Sequence, residues 1–321
     1  MSQESNKYNW QPTAELSGLK ARAVFYKQIR QFFAKYDVLE VETPLLCARA
    51  VTDPYIQAFA ADGKYLQTSP EYAMKRLLAA GSGAIYQICK AFRQEESGNF
   101  HNSEFTMLEW YRPGFDHHRL IAEVDEIIQM LLGTQPARKI SYYKLFMETL
   151  GINPHTASIE ILQNCAEQHG ISLTATAKSG LTVTDWLQLL MSHIIEPQMV
   201  GNFAWAVYDF PVAQAALARI IHTDEGTVAS RFEFYMQGIE LANGYHELQN
   251  PAEQAKRFTE DNAKRVTQGI KFMEPDERLL AALEAGLPDC AGVTLGLDRL
   301  LMLKLQADSI AKVLSFTFEN A

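Results

Sequence analysis

The chain has 321 residues, 47% of them hydrophobic, and a net charge of −9 from 29 basic and 38 acidic side chains. That length holds two average domains or one large one, and that composition fills a complete core. The acidic balance opposes broad nucleic-acid binding, which needs a basic surface, and no apolar run nears the ~20 residues that span a bilayer, so a cytoplasmic protein with no membrane partner is expected.

Leu19, Ala23, Tyr26, Ile29 and Phe33 keep helical spacing, which predicts an amphipathic helix over residues 17 to 36. The VLEVETPLL run that follows is extended, because Pro44 disfavours helix and biases Thr43 towards β. A strand is expected from Tyr65 to Thr68, then a helix through Ala80 with Ser69 as N-cap and Pro70 at its first position. Residues 84 to 92 and 105 to 111 read as neighbouring strands rich in large apolar side chains, and 115 to 132 as a helix closed by Gly133. From about 138 to 200 the periodicity is helical and no chemical motif stands out, so this is taken as a helical insertion. Trp205 to Pro211 is a strand, RFEFYM and IELANGYHEL form a hairpin turning at Gln237-Gly238, and helices follow at 251 to 268 and 276 to 286. Gly292 to Gly296 is a strand feeding a last helix. The pattern is that of an α+β fold on a largely antiparallel sheet. Cys47, Cys89, Cys165 and Cys290 lack metal-site or disulfide spacing and are expected as core thiols.

The chemistry concentrates in RQEESGNFHNSEFTMLEWYR, from Arg93 to Arg112, a polar loop between two strands. Arg93 and, in GVTLGLDRLLML, Arg299 are candidates for a clamp on a triphosphate, since a guanidinium pairs two oxygens at once and keeps its charge. Glu233 and Glu240 lie on opposite arms of the hairpin, and a two-residue turn puts both on one face, a workable seat for Mg2+. Phe105 could stack on adenine. Each has an ordinary alternative: a surface ion pair for an arginine, a solvated face for two glutamates, a core site for the phenylalanine.

TSPE, the loop from FRQE to HNSEFTMLEWY, GIELANGYHEL and GLDRL together resemble the catalytic domain of class II lysyl-tRNA synthetases, with VETP similar to that family's first motif. The likeness is greatest to the truncated paralogues that modify elongation factor P, and runs from about residue 17 to 315. It implies a single domain over 1–321: a mainly antiparallel six- or seven-stranded sheet flanked by helices, dimeric, using ATP and Mg2+ to make an aminoacyl-adenylate. By resemblance, Arg93 holds the α-phosphate and the substrate carboxylate and, with Arg299, is catalytic. Gln94, Glu95, His101, Asn102, Phe105, Glu240, Leu241, Gly296 and Arg299 border ATP. Ser69, Pro70 and Glu71 take the substrate amino group, and Glu233 with Glu240 holds the metal. Glu109, Tyr111, Asn243, Tyr245, Glu247 and Thr294 line the amino-acid side chain, with Glu247 paired to its ammonium, since a buried unpaired charge costs several kcal/mol, roughly. Strict alternation sets Glu240 on the other face from Asn243, Tyr245 and Glu247, so a β-bulge is expected near Ala242 to Gly244.

The sequence departs from lysyl synthetases in four places. No anticodon-reading barrel precedes the helix at residue 17, so tRNA is not the expected acceptor. AVTD, from Ala50 to Asp53, replaces paired glycines, and Gln94 replaces an asparagine. Thr294 replaces a glycine, which reshapes the amino-acid pocket and favours (R)-β-lysine over α-lysine. The expected activity is adenylation of β-lysine and transfer to a lysine ε-amine of elongation factor P, by a homodimer. A stand-alone synthetase fragment charging tRNA or a tRNA-like RNA and a non-catalytic amino-acid sensor are the alternatives.

Overall fold

A computed structural model of the protein describes residues 10–94, 98–178 and 180–321. The chain forms two compact units. The first comprises Met1–Glu109, Phe258–Ala282 and Gly296–Ala321, the second Trp110–Arg257 and Leu283–Leu295. In chain order the elements begin with α1 (Leu16–Lys35), β1 (Leu39–Glu40), β2 (Leu46–Cys47), β3 (Ala60–Ala61), β4 (Lys64–Leu66), α2 (Glu71–Ala79), β5 (Ile85–Phe92) and β6 (Glu104–Pro113). Then come α3 (His117–Leu132), β7 (Gln135–Ser141), α4 (Tyr142–Leu150), α5 (Ile159–Gln168), α6 (Ala175–Lys178), α7 (Val183–Leu190), β8 (Phe203–Pro211), β9 (Ile220–Thr223), β10 (Gly226–Met236) and β11 (Ile239–His246). The chain finishes with α8 (Pro251–Thr267), α9 (Glu277–Gly286), β12 (Cys290–Gly296) and α10 (Leu297–Leu305).

In the first unit β1 pairs in parallel with β5, which neighbours β6, and β2, β4 and β3 make a separate three-stranded antiparallel sheet. In the second unit β6 neighbours β12, followed by β11, β10, β8 and β7, with β9 beside β10. The large sheet counts nine strands rather than the six or seven expected, its extra members being short or marginal strands such as the two-residue β1 and the four-residue β9. It is mainly antiparallel and flanked by helices, as the α+β reading requires. Its parallel margins are β1 on β5 and β7 on β8.

Helix α3 shows why the helices sit where they do. Asp116 caps it, accepting from the Arg119 backbone N–H at 2.8 Å, and Gly133 closes it in the left-handed conformation at φ 77°. Leu120, Ile121, Val124, Ile127, Ile128 and Leu131 recur at helical spacing and are at most 1% exposed, on the side that meets β8, β10 and β11. Each such burial contributes about 1.5–3 kcal/mol.

The segment expected to be helical from 138 opens with a strand. Residues 138 to 141 belong to β7, whose QPARKIS sequence has no regular apolar alternation, and the helices begin at Tyr142. Helices α4, α5 and α7 enclose an apolar cluster that includes Phe146, Leu162, Trp186 and Leu190 and reaches Val207, Phe210 and Tyr235 of the sheet. Cys89, Cys165 and Cys290 are buried thiols, whereas Cys47 is half-buried on the two-residue strand β2, where no thick core exists to receive it.

Candidate functional site

The hairpin β10–β11 turns at Gln237 and Gly238, with φ of 54° and 71°, the two positive values a type I′ turn requires. Met236 pairs with Ile239 and Tyr235 with Glu240, but Phe234 then pairs with Ala242, so Leu241 is an extra residue. The bulge thus lies one residue before the expected Ala242–Gly244, at buried Leu241. It shifts the phase of β11 so that Glu240 shares a face with Asn243, Tyr245 and Glu247. Arg231, Glu233 and Tyr235 of β10 lie on that same face, because Arg231 pairs with Tyr245 and Glu233 with Asn243. On β12, Thr294 opposes Asn243 and Gly292 opposes Tyr245.

Glu233 is buried among donors. Arg231 Nη2 donates to its Oε1 and the Tyr235 hydroxyl to its Oε2. Arg231 also donates through Nη1 to the Gln214 carbonyl at 2.8 Å and stacks over the Phe210 ring at 4.9 Å. Burial acts to lower the Arg231 pKa, and the adjacent Glu233 carboxylate more than offsets it, so the guanidinium is held firmly charged. Burial, then Glu233 and Glu240, push the Tyr235 phenol well above its ordinary value, which keeps it a donor. Two carboxylates on one face are the hard oxygen donors that Mg2+ takes. A carboxylate has about four lone-pair positions, so Glu233 can accept from Arg231 and Tyr235 and still face a cation.

Gly292 is a close-approach point of this unit. A Cβ there would stand 2.3 Å from Tyr111 Cε1 and 2.5 Å from Glu247 Oε1. The Tyr111 ring and the Glu247 carboxylate therefore converge over a bare backbone, and Glu247 itself is 1% exposed. Asn243 Oδ1 is buried with no hydrogen-bond partner among the described residues. A buried carboxylate, an aromatic ring and an amide oxygen suit an ammonium-bearing ligand.

The first unit holds the other sequence-predicted residues. Arg93 reaches the Thr68 carbonyl through Nε and Nη2, both at 3.4 Å, and lies over the Phe105 ring at 5.1 Å. Arg299 donates through Nε to the Phe100 carbonyl at 3.2 Å and through Nη2 to His101 Nε2 at 2.6 Å. A guanidinium only donates, so His101 accepts at Nε2 and is the neutral Nδ1–H tautomer. Next to Arg299, Asp298 is buried, accepting from the Thr106 N–H at 2.6 Å and ion-paired with Arg22 at 2.6 Å, which anchors the start of α10. Gly296 is the N-cap of α10.

Ser69 donates to buried Glu109 at 2.8 Å and accepts from the Glu71 N–H at 3.1 Å, so its hydroxyl both caps α2 and orients the carboxylate. Pro70 takes the cap position itself, one residue later than the sequence suggests. Cys89 is pushed up to about 12, by burial first and then by the Glu109 charge. Glu71, the expected partner of the substrate amine, is ion-paired at 2.7 Å with Lys75, itself 1% exposed. Asn102 spends both ends of its amide on backbone, donating to the Glu104 carbonyl at 2.6 Å and accepting from the Phe318 N–H at 3.0 Å. Gln94 donates to the Ala58 carbonyl at 2.9 Å. Glu95 lies outside the described residues. In the AVTD segment, buried Thr52 donates to Asp261 at 2.8 Å.

Three members of these constellations were not singled out by sequence: Arg231, Tyr235 and Gly292. RFEFY carries the signal for two, since polar side chains alternate with Phe232 and Phe234. Gly292 becomes visible only once the register of β11 on β12 is known.

Over residues 10–320 the sequence matches the family described as tRNA synthetases class II (D, K and N). It is 50% identical over 323 residues to an elongation factor P–(R)-β-lysine ligase of Vibrio parahaemolyticus, covering 98% of this chain and 99% of that one. Proteins of the same name from Pseudoalteromonas translucida and Histophilus somni are each 49% identical, over 97% of this chain and 98% of theirs.

Proposed function

The chain belongs to the class II tRNA synthetases of the D, K and N group, and from that premise we propose that it activates (R)-β-lysine with ATP and passes the β-lysyl group to a lysine ε-amine of elongation factor P. The observation that carries this reading is the Leu241 bulge, which sets the carboxylates fit for a metal and the residues fit for an ammonium on one strand face. In the first step a substrate carboxylate oxygen bonds to the α-phosphorus and the α–β phosphoanhydride breaks, releasing pyrophosphate. The carboxylate is already ionised, so the chain's work is positioning and charge neutralisation. Arg93, levelled by the Phe105 ring, pairs with the α-phosphate and the substrate carboxylate. Arg299, with His101, borders the outer phosphates, and Gln94, Glu95, Asn102, Leu241 and Gly296 shape the nucleotide's surroundings. Glu233 and Glu240 hold Mg2+, which when bound neutralises phosphate charge. Arg231 and Tyr235 keep the Glu233 carboxylate oriented.

Glu247, Glu109, Tyr111, Asn243 and Tyr245 read the substrate's side chain, and Ser69, Pro70 and Glu71 its backbone end, where the amine shares Glu71 with Lys75. Thr294, opposite Asn243, narrows the pocket towards the β-amino acid. In the second step a neutral ε-amine attacks the acyl carbon, an amide forms, AMP leaves and the amine's proton is lost. A cytoplasmic homodimer is the working unit in this reading. Exposed Leu16, Val24 and Leu39 on the α1–β1 segment support a partner there, and no helix among the described residues is long and apolar enough to cross a membrane. Pyrophosphate exchange with α-lysine and (R)-β-lysine, followed by transfer to elongation factor P or to bulk tRNA, tests the proposal. Exchange favouring β-lysine with transfer to the protein is expected; transfer to RNA alone, or no exchange, overturns it.

A further inference from the structure

Away from these constellations, on the second unit, the first turn of α3 meets β8. His117, His118 and Asp209 each bring one ligand atom to within 4.8 Å of the others. His117 is 3% exposed, and its Nε2 lies 3.0 Å from Asp209 Oδ1. Nε2 is thus the ring nitrogen turned to the carboxylate and the one available to a shared ion, with Nδ1 buried behind it. The two imidazole centroids are 4.1 Å apart, and His118 lies edge-on to the Tyr208 ring at 5.1 Å, exposed on its outer side.

Asp209 is the second independent sign. Its φ is 60°, a left-handed conformation within a strand, at the point where the pairing of β8 with β10 shifts register. Such a conformation costs a non-glycine residue about 1–2 kcal/mol. Alternation along β8 would send Asp209 to the side of Val207; the left-handed backbone instead delivers its carboxylate to His117. A strained residue that redirects one carboxylate onto a pair of histidines points to a ligand for that trio.

We propose that His117, His118 and Asp209 form a binding site for a divalent transition-metal ion of the zinc type, three protein ligands with the fourth position open to water. Imidazole nitrogen and carboxylate oxygen are the donors zinc takes, at about 2.0–2.2 Å, so ligand atoms around one tetrahedral ion stand about 3.3 Å apart. The exposed His118 side chain can close the remaining gap by rotating. Around the trio, Asp116 and Asp209 act on His118 with negative charge and Lys139 with positive charge, and His246 stands 6.3 Å from His117 with its own carboxylate partner, Asp289, at 2.9 Å. Bound metal would tie the start of α3 to β8.

The test is zinc titration calorimetry on the chelator-stripped full chain, with Mg2+ in excess to occupy the Glu233–Glu240 seat. One zinc per chain is expected, and Co2+ should give the intense visible bands of tetrahedral coordination. His118→Ala, at an exposed position, and Asp209→Gly, which accepts the left-handed backbone but lacks the carboxylate, should both abolish binding and the Co2+ bands. Absence of zinc binding by the parent chain overturns the proposal, as does retention by either variant. Should Asp209→Gly not fold, His118→Ala decides alone.

Discussion

Replacing Gly292 by alanine is the sharpest probe of the amino-acid site. The new methyl would stand 2.3 and 2.4 Å from two carbons of the Tyr111 ring and 2.5 Å from Glu247 Oε1, where ordinary contact begins at 3.4 Å. The shortfall of about 1 Å cannot be absorbed by Gly292, whose strand is paired with β11, nor easily by Tyr111, which is buried. Ring and carboxylate must therefore move apart, and a misplacement of about 1 Å at a reacting or reading group costs on the order of 100-fold in rate. Overpacking of this kind also costs about 1–3 kcal/mol of stability. Amino-acid-dependent pyrophosphate exchange measured over a range of β-lysine concentrations, alongside nucleotide binding by calorimetry, separates the effects. The expected result is a large rise in KM for the amino acid or loss of exchange, with ATP binding retained. An alanine variant with unchanged KM would refute the convergence of Tyr111 and Glu247 on the substrate.

Arg299→Ala should lower exchange by about 10²–10³-fold, the loss typical of one charge-stabilising donor, while far-UV circular dichroism stays unchanged; an active variant would remove Arg299 from the phosphate clamp. Tyr235→Phe takes one donor from the buried Glu233 carboxylate and should cost about 1.5–3 kcal/mol in urea unfolding, with a higher Mg2+ requirement in exchange; an unaltered protein on both counts would dismiss its positioning role. Burial holds His118, His155 and His246 below the ordinary histidine value of 6.5. The unfolded chain therefore binds more protons below that value, and stability should fall as pH drops through it. A urea midpoint that rises on acidification from neutrality would contradict that sign.

Much of the hairpin was readable before any coordinates. Gln237-Gly238 names its own turn, and the demand that Glu240 and Glu247 serve one face calls for an extra residue somewhere between them. Sequence could not place that residue at Leu241, because any position between Glu240 and Asn243 restores the phase, and packing of buried Leu241 makes the choice. β4 was expected from Tyr65, but its partners β2 and β3 in the three-stranded sheet and the strand β7 went unseen as strands for a different reason. Strands of two or three residues have no period to detect, and five of the seven β7 positions are exposed or half-buried, so nothing apolar marks them. Arg93, Arg299, Glu233 and Glu247 carried motif signals, whereas Asn102 and Gln94 proved to be tied into the backbone, a use that a motif match does not reveal.

Tyr235 belongs to two neighbourhoods at once: its ring is part of the apolar cluster enclosed by the inserted helices, and its hydroxyl holds Glu233. Remodelling of those helices, by loosening the ring, would shift the phenol and so register first as a change in turnover and only later as unfolding. A shortened or exchanged insertion is thus a tuning element for the proposed metal seat, and a redesign that swaps it for a foreign helical module has to supply a new anchor for that one ring.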